Sequence, residues 1–317
     1  MTVLSLPRML RAGQAMPDHV LACLSFGNAA APQLAAGYAL PLPPWASDAA
    51  STIEVWPASG PVHRYESHGY ACADDGQHLF FWRIDASSAD IERAAHDAYR
   101  DLRALCADSG YPQLLRIWNY FDGVTDGDGD DERYRRFCVG RHRALAEPGF
   151  ERRLPAATLI GTRKPGLQLY GVASRNAGIQ VENPRQTSAF RYPREYGPSS
   201  PSFSRATRYG DALLLSGTAA IVGHQTQHPH QLMPQVDAML DNVRTLLSHA
   251  EGGPWHAQSL KLYLRDPAEA PQVVAAVRDV LGNAAPLLVL QGEVCRRDLC
   301  VEIEGVFERA VTLPVSA

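Results

Sequence analysis

The sequence predicts an α+β protein made of two successive units, each of element order β-α-β-α-β-β. Three observations carry that reading. Short apolar runs with period-two alternation, the mark of half-buried strands, flank longer stretches whose apolar residues recur at helical spacing. This order of patterns occurs twice, with no obvious likeness between the two sequences, so the repeat is one of element order. The chain of 317 residues is also long enough for two domains of ordinary size, each with its own core. The expected division is residues 1–174 and 175–317.

In the first unit, Leu79–Ile84 (LFFWRI) is a strand. Ser88–Asp108 follows as a helix through Ile91, Ala95, Tyr99, Leu102 and Leu105, with Ser88 as its N-terminal cap. A strand at Gln113–Phe121, a helix from Asp131 to Ala146, and strands at Ala157–Gly161 and Leu167–Val172 complete the unit. The segment Arg175–Ser204 is rich in Pro, Asn, Ser and Arg, and is too long and too aromatic for a passive linker. The second unit reads as a strand at Ala212–Ser216, a helix at Gln231–His249, a strand at Ser259–Arg265 and a helix at Ala268–Leu281.

Two final strands are expected at Leu287–Cys295 and Leu299–Phe307. In the last, Val301 and Ile303 share one face, and Glu302 and Glu304 the other. A hairpin turning at Asp298 and Leu299 would set Cys295 opposite Glu302, ~5 Å apart at Cβ. That face is either a solvated exterior with an incidental thiol or the wall of a site.

Composition excludes several classes. Hydrophobic residues make up 45% and charged residues 20%, as in ordinary globular proteins. A formal charge of −4 with scattered Arg and no basic tract argues against nucleic-acid binding. No apolar run approaches the ~20 residues of a membrane span. The N-terminus is broken by Pro7 and has no continuous apolar core for a secretory signal, so a cytoplasmic location is expected. The six cysteines show no CxxC spacing, and Cys23, Cys106, Cys138 and Cys300 read as reduced core residues.

Some motifs tempt. Thr125–Glu132 (TDGDGDDE) opens like a calcium loop, but Asp131 stands where Gly is required and Phe137 where Glu is; it reads as an acidic turn favouring the next helix N-terminus. His224, His228 and His230 lie in an irregular loop around Pro229, without an acidic or Cys partner at helical spacing, and no metal is assigned. Ser216–Gly223 (SGTAAIVG) offers small residues after a strand, either for a tight turn or for close approach of a ligand. No GxGxxG, Walker A or GxSxG pattern occurs.

Four separated blocks resemble the chorismatase family: Leu115–Leu145, Arg191–Thr207 (RYPREYGPSSPSFSRAT), Ser216–His224 and Val294–Phe307 (VCRRDLCVEIEGVF). The match runs from about Tyr111 to Phe307, while the VEIEG run alone is shared with the wider RidA/YjgF-like fold. The resemblance implies two related RidA/YjgF-like (chorismate-mutase-like) domains and cofactor-free cleavage of chorismate to pyruvate and a ring product. That product is 3-hydroxybenzoate, with 4-hydroxybenzoate in one branch, or a dihydroxycyclohexadiene carboxylate in the hydrolase branch; the hydroxybenzoates feed pigment and quinone pathways.

By the same resemblance Glu302 is the acid, and Tyr192, Arg205 and Ala219 line the substrate site. Arg265 is a third candidate for binding, and Cys295 matches the Cys of aromatising members. The chemistry fits these residue types. Chorismate is a dianion, which Arg pairs bidentately. Its enol ether is activated by protonation at the methylene carbon, which needs a carboxylic acid still protonated near neutral pH, hence a desolvated Glu. The imine-deaminase branch of the fold carries an Arg in a Pro-x-Arg turn before the penultimate strand, where this chain reads Asn283-Ala284-Ala285-Pro286-Leu287-Leu288. Imine hydrolysis is therefore the weaker enzymatic reading, and a non-catalytic binder of small aromatic acids is the alternative outside enzymes.

Overall fold

The computed structural model describes residues 4–11, 14–27, 37–40, 42, 52–87 and 89–310. It shows three sheets of four or more strands around one shared core, and a separate two-stranded hairpin. The first, absent from the sequence reading, joins β1 (Arg8–Leu10), β2 (Val20–Phe26), β3 (Gly37–Leu40) and β4 (Ile53–Pro57) in the order β1-β4-β2-β3.

The first unit follows as β5 (His63–Ser67), β6 (Tyr70–Asp74), β7 (His78–Asp85), α1 (Ile91–Ser109), β8 (Gln113–Asp122), α2 (Arg133–Leu145), β9 (Ala156–Thr162) and β10 (Leu167–Ser174). The second comprises β11 (Ile179–Val181), β12 (Ala206–Tyr209), β13 (Ala212–Ala219), the small hairpin β14 (Ile221–Val222) and β15 (Gln225–Thr226), α3 (Leu232–His249), β16 (Trp255–Leu264), α4 (Ala270–Leu281), β17 (Leu287–Gln291) and β18 (Val301–Arg309).

The two six-stranded sheets have the same order, β5-β6-β7-β10-β8-β9 and β11-β12-β13-β18-β16-β17. The repeated β-α-β-α-β-β order is thus a repeated topology, extended by two further strands at the start of each unit. Within each, the strand after the second helix pairs parallel to the strand before it, and the last strand inserts antiparallel between older neighbours. The helix α1 is capped by Asp90, whose carboxylate accepts the Arg93 N–H at 3.0 Å; Ser88 lies outside the described residues.

Helices α1 and α2 cover one face of the first large sheet through Tyr99, Leu102, Leu105 and Phe137. Helices α3 and α4 cover the second through Val236, Met239, Val243, Val273 and Val277. The helix-free faces of both sheets meet the small N-terminal sheet in a core of Trp56, Phe80, Trp118, Tyr120, Tyr170, Leu214 and Tyr263. Alternation therefore has an unusual meaning here: both faces of a central strand are buried, one under helices and one under another sheet.

The expected C-terminal hairpin does not form. The strand β17 pairs parallel with β16, while β18 lies between β13 and β16. The partners of Glu302 across the ladders are Ala219 and Tyr263, and Cys295 lies in a loop. The reason is the α4 crossover, which delivers β17 to the sheet edge in parallel; β18 then pairs along both of its edges, where a hairpin would offer one. Residues 292–300 wrap the end of β16, held by Gly292 N–H to Leu264 O and Arg265 N–H to Cys300 O.

All six cysteines are free; Cys300, expected in the core, is half-buried. Among the described residues, no helix is long and apolar enough to cross a membrane.

Candidate active site

A cavity of about 280 Å³ opens between the two large sheets. Its floor comes from Ala157–Leu159 on β9, Gly217 and Ala219 on β13, and Glu302 on β18. The long segment between the units closes one side with Gln186, Tyr192, Tyr196 and Phe203; the 292–300 loop and the start of α2 close the rest.

The alternation of β18 sends Val301 and Ile303 beneath α3 and α4 and turns Glu302 and Glu304 toward the other sheet. Neither acid is solvated: Glu302 is 5% exposed and Glu304 1%. Their surroundings differ sharply. Glu304 accepts from Trp118 Nε1 at 2.8 Å, Tyr263 OH at 2.8 Å, Thr158 Oγ1 and the Arg116 guanidinium, and lies 3.1 Å from Lys261 Nζ. Lys261 in turn pairs with Glu54 of the N-terminal sheet at 2.7 Å. Burial alone would raise Glu304, but Lys261, Arg116 and the hydrogen bonds from Thr158 and Tyr263 outweigh it and hold the carboxyl below the ordinary range.

No hydrogen bond or ion pair among the described residues engages the Glu302 carboxyl. Desolvation, then the negative charge of Glu304, push it up to about 8, against weaker opposition from Arg116 and Arg205. One carboxylate is thus held ionised and its neighbour neutral at pH 7, a separation of roles set by environment.

Gly217 makes room for that acid. It lies at a bulge in β13, between Leu215 and Thr218, and a Cβ there would come 2.0 Å from Glu302 Oε1. Of the two readings of SGTAAIVG, the tight turn is present at Gly223, between β14 and β15, while at Gly217 the group that comes close is a side chain of the protein itself. Gly217→Ala is expected to lower turnover at least ~10-fold by displacing the carboxyl, with the far-UV spectrum unchanged. Wild-type turnover in a folded Gly217→Ala protein would show that the position of the acid is not limiting.

Arg205, 4% exposed, donates from Nη2 to Thr187 O at 2.7 Å and to Tyr192 OH at 2.9 Å. Its buried Nε has no partner. Arg296 approaches the other residues of this wall, with its guanidinium 4.1 Å from the Tyr196 ring centre and 5.5 Å from that of Tyr192. Tyr192, Arg205 and Ala219 all line the cavity with Glu302 and Cys295. Burial, then Glu302, push the Cys295 thiol up to about 12, so it is a neutral thiol.

Arg265 is placed elsewhere. Its guanidinium donates to the carbonyls of Val294, Arg296 and Leu299 at 3.1–3.2 Å, so it fastens the loop that carries Cys295 and Arg296. The acidic turn leads into α2, with Glu132 at that helix's N-cap; Asp130 pairs with Arg194 at 2.5 Å and Asp128 with Arg297 at 3.2 Å, tying the turn to the segments over the cavity. Of the three histidines, His230 lines the cavity, His224 lies 3.5 Å from Glu195, and His228 lines a separate surface depression.

Sequence reasoning missed Arg296, Tyr196, Arg141 and the Arg116–Glu304–Lys261 cluster. Arg296 and Tyr196 fall inside the quoted blocks, so a signal existed. Arg116 and Lys261 sit in strands where a cation reads as an outward residue, and nothing local marks them as buried.

Two six-stranded sheets of identical order, with a cavity of buried charges between them, place the chain among two-unit α+β proteins whose site lies between the units. Residues 54–173 match the family described as "Chorismatase FkbO/Hyg5-like, N-terminal". The chain is 33% identical over 273 residues to a 3-hydroxybenzoate synthase of Streptomyces hygroscopicus, covering 80% of each protein. It is 34% identical over 275 residues to a chorismatase of Streptomyces rapamycinicus, covering 81% of this chain and 82% of the other. A crystal structure of a chorismatase superposes with a TM-score of 0.85 at 30% identity, over 96% of this chain and 99% of that one. The chain belongs to the chorismatase family.

Proposed function

We propose that this protein is an enzyme that converts chorismate to pyruvate and 3-hydroxybenzoate, with Glu302 as the acid. One observation carries the reading: a buried, neutral Glu302 beside an ionised Glu304, in a cavity that also presents a buried guanidinium with a free Nε. The names of the relatives, two chorismatases and a 3-hydroxybenzoate synthase, support the substrate and the aromatic product.

Arg205 and Arg296, both close to the Tyr192 ring, take the two substrate carboxylates, and Ala219 leaves space beside Glu302. Glu302 gives its proton to the methylene carbon of the enol ether, and the nearby Glu304 carboxylate stabilises the cation that forms. Two outcomes are open to that cation. Water can add to the side chain, consuming one water and leaving the diol. Alternatively the ring 4-hydroxyl displaces pyruvate from C3 and closes a ring epoxide; its C4–O bond then opens as the C3 proton leaves, giving the aromatic acid with no net water consumed. Cys295, a neutral thiol against the acid, excludes water from the cation and favours the second route. The two units, 1–174 and 175–317, each supply one wall of the site, and no cofactor is needed for the proton transfer.

Purified protein with chorismate and no additive should release pyruvate and hydroxybenzoate in equal amounts, at a rate unchanged by EDTA. Absence of pyruvate despite tight chorismate binding would favour the non-catalytic binder, and inhibition by EDTA reversed by zinc would sink the cofactor-free scheme. Cys295→Ala should shift product toward the diol, read by chromatography. An unchanged product distribution would reduce the thiol to packing.

A further inference from the structure

We propose that a second cavity, beside the first, is a binding site for a small aromatic carboxylate. It measures about 250 Å³ and lies against α1, the end of α2 and the segment leading into β9. Its walls are apolar, formed chiefly by Leu114, Ile117, Leu145, Phe150 and Leu154. That volume suits one ring with short substituents, below the usual range for drug-sized ligands.

Two buried polar residues line this space, and each holds a polar atom that lacks a partner. Arg141 is 2% exposed and Ser202 3%, and neither Arg141 Nε nor Ser202 Oγ has a hydrogen-bond partner. No carboxylate among the described residues forms an ion pair with Arg141; its guanidinium rests against the rings of Phe137 and Tyr99, 5.2 and 5.7 Å from their centres. A buried cation without a counter-ion is unfavourable unless something supplies one. A ligand carboxylate supplies it, a ring fills the apolar walls, and Ser202 offers a hydrogen bond to either. At the rim, Arg103 and Arg153 share the single carboxylate of Glu147, at 2.7 and 3.5 Å, leaving an excess positive charge that favours entry of an anion.

Arg141 and Ala157 also line the first cavity, so an occupant of the second acts on the first through a shared wall. The proposal is independent of the chemistry assigned to the first cavity, because occupancy is read without turnover.

The test uses benzoate and the full chain. Crystals grown with benzoate should show it in the second cavity with its carboxylate on Arg141, and titration calorimetry should give two sites per chain. Ala107→Trp places an indole at the exposed rim of the second cavity and should remove one of the two sites, leaving the other intact. Ser202→Val should weaken that same site by about tenfold through loss of one hydrogen bond. Benzoate confined to the first cavity, or two sites that persist unchanged in Ala107→Trp and Ser202→Val, would overturn the assignment. So would a single site of unaltered affinity in all three proteins.

Discussion

Glu302→Gln is expected to lower kcat by at least ~10², with chorismate binding retained within a few-fold. The amide keeps the shape of the protonated acid and has no proton to transfer to carbon. Because no described residue bonds to the carboxyl, the exchange breaks no internal hydrogen bond, and folding should be unaffected. The wild-type pH profile supplies a second reading. A Glu302 that must be protonated, with its pKa pushed up to about 8, predicts kcat/KM level through neutrality and falling tenfold per pH unit above about 8. Glu304→Gln removes a charge that holds Glu302 up, so that limb should move to lower pH. Near-normal kcat in Glu302→Gln would send the search for the donor elsewhere, and a limb unmoved by Glu304→Gln would mean that desolvation alone raises Glu302.

Lys261→Met should reduce unfolding stability by about 3–5 kcal/mol, the usual loss when one member of a buried ion pair is removed. Lys261 bridges Glu54 at 2.7 Å and Glu304 at 3.1 Å inside the core shared by the three sheets. Glu304 keeps Arg116, whereas Glu54 keeps only the Trp56 indole N–H at 2.8 Å among the described residues. The double variant Lys261→Met with Glu54→Gln should therefore recover part of the loss, because the stranded charge is removed. Urea unfolding followed by tryptophan fluorescence measures both. A single-variant loss below about 1 kcal/mol would mean that the N-terminal sheet is not tied to the site through this charge, and an additive double variant would deny the coupling.

The local order of elements and the residues of the acid strand were legible from the amino-acid pattern alone. Period two in Val301–Phe307 placed Glu302 and Glu304 on a face apart from Val301 and Ile303, because successive side chains of a strand point to opposite sides whatever lies beyond them. The helical spacing of Ile91, Ala95, Tyr99, Leu102 and Leu105 likewise fixed which side of α1 is buried. What each face meets depends on the packing of distant elements. The face of Glu302 is buried because a second sheet covers it, and pairing across sheets depends on residues more than a hundred positions away, such as Arg116 and Thr158 for Glu304. Strand partnership was hidden for the same reason. Adjacency in sequence suggested a hairpin beside Glu302, but the α4 crossover sends β17 to the sheet edge and lets β18 bond along both of its own. Arg205 and Arg265 look alike in sequence, each a cation near a strand end. The fold leaves one with a free buried Nε over the cavity and uses up the other on three carbonyls, since a guanidinium serves whichever acceptors the chain brings within reach.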